Sequence, residues 1–133
     1  MNKLEHIGIA VKDLQAANRL FAQLLGTTHY KIEEVAAEGV RTSFFNVAGV
    51  KIELLEATNT ESPVARFIEK RGESIHHLAF EVDDIEKSLE QKTAEGFVPI
   101  NSTPKPGADN KLIAFLHPKS TGGVLVELCQ EKS

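Results

Sequence analysis

Cysteine is almost missing from this sequence: Cys129 is the only one among 133 residues. A single thiol excludes an internal disulfide and a zinc site built from cysteines. No apolar run approaches the roughly 20 residues of a membrane span, and the N-terminus has no signal or transit character. Basic residues number 15 against 19 acidic ones, a net charge of −4. This lack of a basic excess argues against a general nucleic-acid binder. We therefore expect a cytoplasmic protein with neither nucleic-acid nor membrane partners.

The residues that are present predict one globular domain over 1–133, since 41 % are hydrophobic and 26 % charged. Alternating apolar residues predict strands around 3–11 and 75–82. Helical spacing follows each of them, after Asp13 in the first case and after a capping box of Asp83 and Glu86 in the second. Further strands are predicted around 28–35, 40–47, 50–56, 97–101, 111–116 and 124–129, with a linker helix around 62–72.

An internal repeat organises these elements. The segment HIGIAVKDL from His6 matches HLAFEVDDI from His77 at an offset of 71 residues, and GVKIELL from Gly49 matches GVLVELC from Gly123 at an offset of 74. Two ordered matches at nearly one offset predict two tandem βαβββ units, at about 3–59 and about 75–131. The predicted fold class is α+β, with one curved eight-stranded mixed sheet around a metal site and helices on its outer face.

The repeat places a histidine in the first strand and a glutamate in the last strand of each unit: His6 and Glu53, then His77 and Glu127. All four alternate with apolar residues, so they point away from the helix-packed face. If the units pair about a pseudo-twofold axis, the four side chains converge. Two buried carboxylates would repel without a cation, so we predict a divalent metal ion. Nitrogen and oxygen donors favour Co, Mn, Ni, Fe or Zn over Cu(I).

The remaining histidines and the cysteine are not predicted to be metal ligands. His76 points opposite to His77 and is predicted to be structural. His29 is predicted to lie at the surface, because it has no partner in the repeat. His117 also lacks such a partner, and whether it lines the pocket is left open. Cys129 shares the parity of Glu127 and is predicted to fill space.

Several motifs resemble one known family over nearly the whole chain. They are HIGIAV from His6, EGVR from Glu38, KIELLE from Lys51, SPVARFI from Ser62, IHHLAFEVDDI from Ile75 and FLHPKSTGGVLVEL from Phe115. The last motif is the most specific. The chain thereby resembles the methylmalonyl-CoA epimerase family of the vicinal oxygen chelate (glyoxalase/bleomycin-resistance) superfamily.

This resemblance implies metal ligands at His6, Glu53, His77 and Glu127, the four residues that the repeat selects. It also implies a divalent ion, cobalt first, with manganese, nickel or zinc as alternatives, and a homodimer. The implied reaction interconverts (2R)- and (2S)-methylmalonyl-CoA by proton abstraction at C2 through a metal-stabilised enolate.

Epimerisation needs a base on each face of the planar carbon. Some relatives carry a glutamate three residues after the glycine of the Gly-Val motif, where this chain has Thr42, which cannot act as a base. We therefore predict Glu127 and Glu53 as the two catalytic bases, with Glu38 in reserve.

An acyl-CoA substrate carries phosphates, and the resemblance makes cations near the second-half loops candidates to bind them. These are Lys111 and Lys119, with Lys105 as a further one. Arg41 is predicted to contact the substrate carboxylate.

Other functions remain open within the superfamily. A glyoxalase I-like lyase or isomerase shares the four-ligand plan but lacks the HPKSTGG turn. An extradiol dioxygenase uses two histidines and one carboxylate, so a fourth ligand argues against it. A metal-free small-molecule-binding protein of the bleomycin-resistance type needs no such quartet and usually has an aromatic cleft, whereas this chain has no tryptophan and one tyrosine.

Overall fold

The computed structural model describes residues 1–132. The chain forms two compact units. The N-terminal unit comprises His6–His76, and the C-terminal unit comprises Met1–Glu5 with the chain from His77 onward. Within residues 1–132 no helix is both long and apolar enough to cross a membrane.

The element order repeats, as the sequence predicts. The first half contains β1 (Lys3–Ala10), α1 (Leu14–Leu25), β2 (Lys31–Val35), β3 (Val40–Val47), β4 (Val50–Ala57) and α2 (Pro63–Arg71). The second half contains β5 (Ser74–Glu81), α3 (Ile85–Ala94), β6 (Lys105–Pro106), β7 (Lys111–Leu116) and β8 (Val126–Glu131). The boundary between the units falls inside β1 and inside β5.

In the N-terminal unit the strands run in the order β2-β3-β4-β1, with β1 parallel to β4 and the other pairs antiparallel. Helix α1 packs on one face, where its Leu14 and Ala17 meet Phe45 and Leu54. Helix α2 packs on the opposite face, where its Val64 forms a buried cluster with Ala10, Val40 and Leu55. Since Leu55 and Glu53 share a face, α2 borders the face of Glu53.

In the C-terminal unit the order is β5-β8-β7-β6, again with the first and last strands of the repeat, β5 and β8, parallel. Helix α3 packs Ile85 and Leu89 against Ala114, Leu116 and Leu128. The predicted α+β class, with two βαβββ units and eight strands in mixed pairing, is confirmed. The assignment of residues 1–133 to a single domain stays a prediction.

An aspartate begins each repeat helix. The Asp13 side chain accepts the Ala16 N–H at 3.1 Å, as predicted. In α3 the predicted capping residue is wrong by one position: Asp84 accepts the Lys87 N–H at 3.1 Å. Asp83 instead accepts a hydrogen bond from the Asn2 side chain, so its carboxylate binds the N-terminal segment of the chain rather than the N-terminus of α3.

The predicted strand at 97–101 is reduced to one bridge, between Pro99 and Leu116. Pro99 has no N–H to donate. Two side chains replace backbone partners beside it: Asn101 accepts the Phe115 N–H, and Ser120 accepts the Val98 N–H. The edge strand is β6 at Lys105–Pro106, inside a segment predicted as a loop.

Candidate functional site

The N-terminal unit holds a buried histidine and glutamate side by side. Glu53 lies beside Gly8 in the parallel pair of β4 and β1, and His6 is two residues before Gly8, so both point to the same face. His6 Nδ1 is 3.1 Å from a Glu53 carboxylate oxygen. Both side chains are about 6 % exposed, so this pair is shielded from water.

The C-terminal unit repeats this arrangement. Glu127 lies beside Ala79 in the parallel pair of β8 and β5, and His77 is two residues before Ala79. His77 Nε2 is 3.2 Å from Glu127 Oε1, and both side chains are again buried. The structure therefore brings each predicted histidine together with the glutamate of its own repeat.

Each pair fits a metal ion by its chemistry. Buried carboxylates need a compensating positive charge, and imidazole nitrogen with carboxylate oxygen is a donor set for first-row divalent ions. Two ligands about 2.1 Å from one ion, at right angles, are about 3.0 Å apart. The nitrogen–oxygen separations of 3.1 and 3.2 Å match neighbouring positions in such a coordination sphere. Both pairs belong to groups whose ligand atoms are close enough to share an ion.

A phenylalanine lies directly opposite each glutamate on the adjacent strand. Phe44 of β3 faces Glu53, and Phe115 of β7 faces Glu127. The Phe115 ring also meets the His77 ring edge-on, with centroids 5.6 Å apart. Phe44 is fully buried, whereas Phe115 is only half-buried. The sequence interpretation missed both, although their spacing of 71 residues follows the repeat.

Cys129 lies two residues beyond Glu127 and faces the same side. Burial is the main cause that raises the pKa of its thiol, and the carboxylates of Glu127 and Glu5 add to it, while Lys111 opposes them. Cys129 is completely buried. The thiol therefore stays protonated and fills space, which agrees with its predicted role. Glu5, also buried, is a carboxylate that the sequence interpretation missed.

The predicted substrate-binding cations lie in three different settings. Lys111 is 5 % exposed in β7, with Nζ 3.4 Å from Glu131. Lys119 is exposed in the short turn Pro118–Ser120. Arg41 lies on the face opposite Glu53, because its neighbour Thr42 faces Leu55, and it binds Glu34 and Glu56 at 3.1 Å each. The structure does not bring Arg41 together with the His–Glu pair, and its predicted substrate contact stays a prediction without support from its position.

The other histidines occupy structural positions. The His76 ring packs edge-on against Phe67, and the His29 ring against Phe45. His117 Nδ1 accepts the Lys119 N–H at 3.1 Å and so begins the turn at Pro118.

Thr42, predicted to be unable to act as a base, is buried in β3 on the face of Glu53. Glu38, the predicted reserve base, is half-buried in the short turn Ala36–Glu38.

Two residues at equivalent positions of the repeats accept a hydrogen bond from the N-terminus of α1 or α3. Glu56, three residues after Glu53, accepts the Leu14 N–H of α1 at 2.9 Å. Gln130, three residues after Glu127, accepts the Ile85 N–H of α3 at 2.8 Å. These bonds satisfy helix N–H groups that lack partners within the helix. The signal was present in the sequence, as a Glu or Gln at the same place in both repeats.

Known proteins are similar to this chain in sequence and in fold. The sequence profile of the "Glyoxalase/Bleomycin resistance protein/Dioxygenase superfamily" matches residues 5–115. The chain is 40 % identical to the mitochondrial methylmalonyl-CoA epimerase of Dictyostelium discoideum, over 96 % of this chain and 78 % of the relative. It is 39 % identical to the ethylmalonyl-CoA/methylmalonyl-CoA epimerase of Cereibacter sphaeroides, over 98 % of each chain.

Among solved structures, one similar fold is a methylmalonyl-CoA epimerase in complex with methylmalonyl-CoA and NH4+. The TM-score is 0.93 at 29 % identity, and the match covers 100 % of this chain and 96 % of that one. The similarity thus extends over the full length of both chains rather than over one repeat.

Proposed function

Since this chain belongs to the methylmalonyl-CoA epimerase family of the glyoxalase/bleomycin resistance protein/dioxygenase superfamily, we propose that it interconverts the two C2 epimers of methylmalonyl-CoA. One observation carries the proposal: a buried histidine–glutamate pair that occurs once in each repeat, at 3.1 and 3.2 Å. A metal-free small-molecule-binding protein of the bleomycin-resistance type would have no need of two such pairs.

Four residues would hold a divalent metal ion in this proposal: His6, Glu53, His77 and Glu127. The equivalent positions of the two pairs in the repeat support this set. When bound, the metal would supply a Lewis acid that stabilises negative charge on the thioester oxygen. We propose cobalt as the native ion, with manganese, nickel or zinc as alternatives.

Two carboxylates would move the proton at C2. In the proposed step Glu127 starts ionised and Glu53 protonated: one oxygen of Glu127 accepts the C2 proton on one face, and Glu53 donates its own proton on the other. The step leaves Glu127 protonated and Glu53 ionised, and the two carboxyl groups exchange roles for the other epimer. Each glutamate has a second oxygen for the metal ion. Thr42 cannot take part as a base, because a hydroxyl at neutral pH carries no lone pair basic enough to remove a carbon-bound proton. Burial of both glutamates supports the assignment, because water is excluded around them.

The substrate contacts are part of the same proposal. Lys119 is exposed and suits a phosphate of CoA. Lys111 and Arg41 remain hypotheses, because their charges lie beside Glu131 and beside Glu34 and Glu56. The homodimer and the cytoplasmic location implied earlier also stay proposals.

The deciding experiment incubates the purified protein with one methylmalonyl-CoA epimer in deuterated water and follows exchange at C2 by NMR. We expect exchange and conversion to the other epimer once cobalt is added, and a loss of both after chelation. No exchange in the presence of each of the four candidate metals would overturn the proposed function. Tight binding of the acyl-CoA without exchange would indicate a binding protein instead.

A further inference from the structure

A lysine lies on the same face of the N-terminal unit as Glu53. Lys31 of β2 is directly opposite Phe44 of β3, and Phe44 is directly opposite Glu53 of β4. Residues opposite each other in an antiparallel pair share a face, so these three side chains form one row across three strands. We call Lys31, Phe44 and Glu53 the β2 row. It has a carboxylate of the candidate site at one end and a cation at the other.

The Lys31 side chain folds inward along the β2 row. Its Nζ lies 4.7 Å from the centroid of the Phe44 ring, and Phe44 is fully buried. Since Phe44 is the residue between Lys31 and Glu53, the ammonium group is over the middle of the row rather than beyond the edge of the sheet. With strands about 4.8 Å apart, the two ends of the row are about 10 Å apart at the backbone. An anion held beside Glu53 on this face would therefore meet the Lys31 ammonium group.

The contact between Lys31 and Glu33 is weak enough for a second anion to share the lysine. Lys31 Nζ is 3.5 Å from Glu33 Oε1, and the two side chains are 37 % and 35 % exposed. Water screens an ion pair at this separation and exposure. An ammonium group has three N–H donors and needs no fixed plane, so it can bind two carboxylates at once.

The other cations of the N-terminal unit are placed less well for this purpose. Arg41, the residue predicted to contact the substrate carboxylate, lies on the opposite face from Glu53 and binds two glutamates there. Lys51 lies on the face of Glu53, two residues before it in β4, and is half-buried. Lys31 is the cation whose ammonium group lies over the Phe44 ring, next to Glu53.

The position of this cation is specific to one repeat. In the C-terminal unit Phe115 is opposite Glu127, and the Ile100 N–H donates to Phe115 O at 2.7 Å. Ile100 therefore takes the place of Lys31 in the equivalent row, and it is 51 % exposed. A negatively charged group meets a cation at this place only in the N-terminal unit.

We propose that Lys31 recognises the free carboxylate of the acyl group, and so selects malonyl-type thioesters over simple acyl thioesters. The proposal rests on the proposed function, because it takes the acyl group to be bound beside Glu53. A carboxylate that moves from water onto this face requires a positive partner. Lys31 supplies that charge through a charge-assisted hydrogen bond. An acyl thioester without the carboxylate gains nothing from Lys31.

The test compares two thioesters that differ only in the carboxylate. Malonyl-CoA carries it and acetyl-CoA lacks it, and neither has a stereocentre at C2, so both can be titrated by calorimetry into the cobalt-loaded protein. Lys31→Met keeps an unbranched chain over the Phe44 ring and removes the charge. We expect it to weaken malonyl-CoA binding about tenfold, equivalent to about 1.4 kcal/mol, and acetyl-CoA binding less than about twofold. Lys31→Arg should keep malonyl-CoA binding within about threefold of wild type.

Two further variants separate recognition of the carboxylate from a structural role of the lysine. Lys12→Met removes an exposed positive charge of the same unit and should change neither affinity. Glu33→Gln removes the carboxylate that competes for Lys31, so it should strengthen malonyl-CoA binding about threefold and leave acetyl-CoA binding unchanged. A lysine that only covers the Phe44 ring would produce none of these differences between the two thioesters.

Wild-type affinity of Lys31→Met for malonyl-CoA, or an equal loss for both thioesters, would overturn the proposal. A selective loss in Lys51→Met and not in Lys31→Met would also overturn it, and would assign the carboxylate to Lys51.

Failure of the proposed function is detected separately, by C2 exchange. A wild type that prefers malonyl-CoA through Lys31 but does not epimerise methylmalonyl-CoA would support the carboxylate site and overturn the enzyme proposal alone. Equal affinity of the wild type for malonyl-CoA and acetyl-CoA would overturn the carboxylate site, whatever the exchange experiment shows.

Discussion

The two repeats hold the same chemical pair in different surroundings. In each repeat the histidine is two residues before a small residue, Gly8 or Ala79, that lies beside the glutamate. A phenylalanine lies opposite each glutamate. Beyond that phenylalanine the repeats diverge, since a lysine covers one ring and an exposed isoleucine leaves the other half open. The shared part positions potential metal ligands, and the divergent part leaves apolar side chains exposed in one repeat only.

The repeats also differ in how each helix is tied to the last strand. Glu56 is an anion at the N-terminus of α1 and is paired with Arg41, while Gln130 is a neutral acceptor at the N-terminus of α3. A negative charge at a helix N-terminus gains from the helix dipole, and an amide does not. The residue at this position therefore stabilises a helix N-terminus in both units, and it does so more strongly in the N-terminal unit.

The largest expected effect comes from removing one site carboxylate at a time. Glu127→Gln and Glu53→Gln should each lower C2 deuterium exchange about 10²–10⁴-fold from at least one epimer, because a glutamine cannot accept the proton. The rates are measured by NMR from each epimer separately. Glu90→Gln and Glu61→Gln, at exposed positions of the same two units, are the controls and should stay near wild type. Full turnover of Glu53→Gln from both epimers would show that the two repeats do not share the proton transfer.

Metal binding tests whether both histidines serve one ion. Cobalt at about 100 times its Kd should raise the free energy of unfolding by about 2.7 kcal/mol. His6→Ala and His77→Ala should each lose most of this gain, because each removes one nitrogen ligand. The measurement is chemical denaturation with and without cobalt, together with metal content of the dialysed protein. Loss in only one variant would assign the ion to a single repeat.

The thiol of Cys129 reports on the buried face of the C-terminal unit. Because burial and nearby carboxylates raise its pKa, we expect iodoacetamide at pH 8 to label it at least about 10²-fold more slowly than in the unfolded chain. An unfolded thiol ionises near pH ~8.5 while the folded one stays protonated. The free energy of unfolding should therefore fall as pH rises above that value, and Cys129→Ala should abolish this slope. Rapid labelling of the native chain would contradict the burial of this residue.

The smallest expected effects concern Glu56 and Gln130, the two side chains that accept an N–H group at a helix N-terminus. Glu56→Ala should lower the free energy of unfolding by about 1–2 kcal/mol, and Gln130→Ala by about 0.5–1.5 kcal/mol. The difference follows from the charge of Glu56 and its contact with Arg41. Glu56→Gln, which gives the first repeat the residue of the second, should cost less than about 1 kcal/mol. Urea denaturation measures all three, and an equal cost for the two alanine variants would show that the charge contributes nothing.

Much of the fold was predictable because it rests on short-range patterns. Alternation places Glu53 and Glu127 opposite the helix-packed residues, and the repeat pairs each with its histidine. The edge at 97–101 was not predictable, because Asn101 and Ser120 take over backbone bonds from positions distant in sequence. The position of Arg41 was missed for a similar reason: its partner Glu56 comes from the neighbouring strand, and strand register decides their contact.

The scarcity of cysteine was enough to exclude an internal disulfide and a zinc site built from cysteines, and the repeat at offsets of 71 and 74 residues was enough to select four candidate ligands, two histidines and two glutamates. The physical reason is that strand parity and residue type are local properties of the chain. Tertiary structure alone decided what surrounds those residues. Their surroundings are the phenylalanine rings opposite the glutamates, the Lys31 ammonium group over the Phe44 ring in one unit, and the exposed Val98 and Ile100 in the other. Such contacts join segments far apart in the chain, and only strand pairing and packing bring them together.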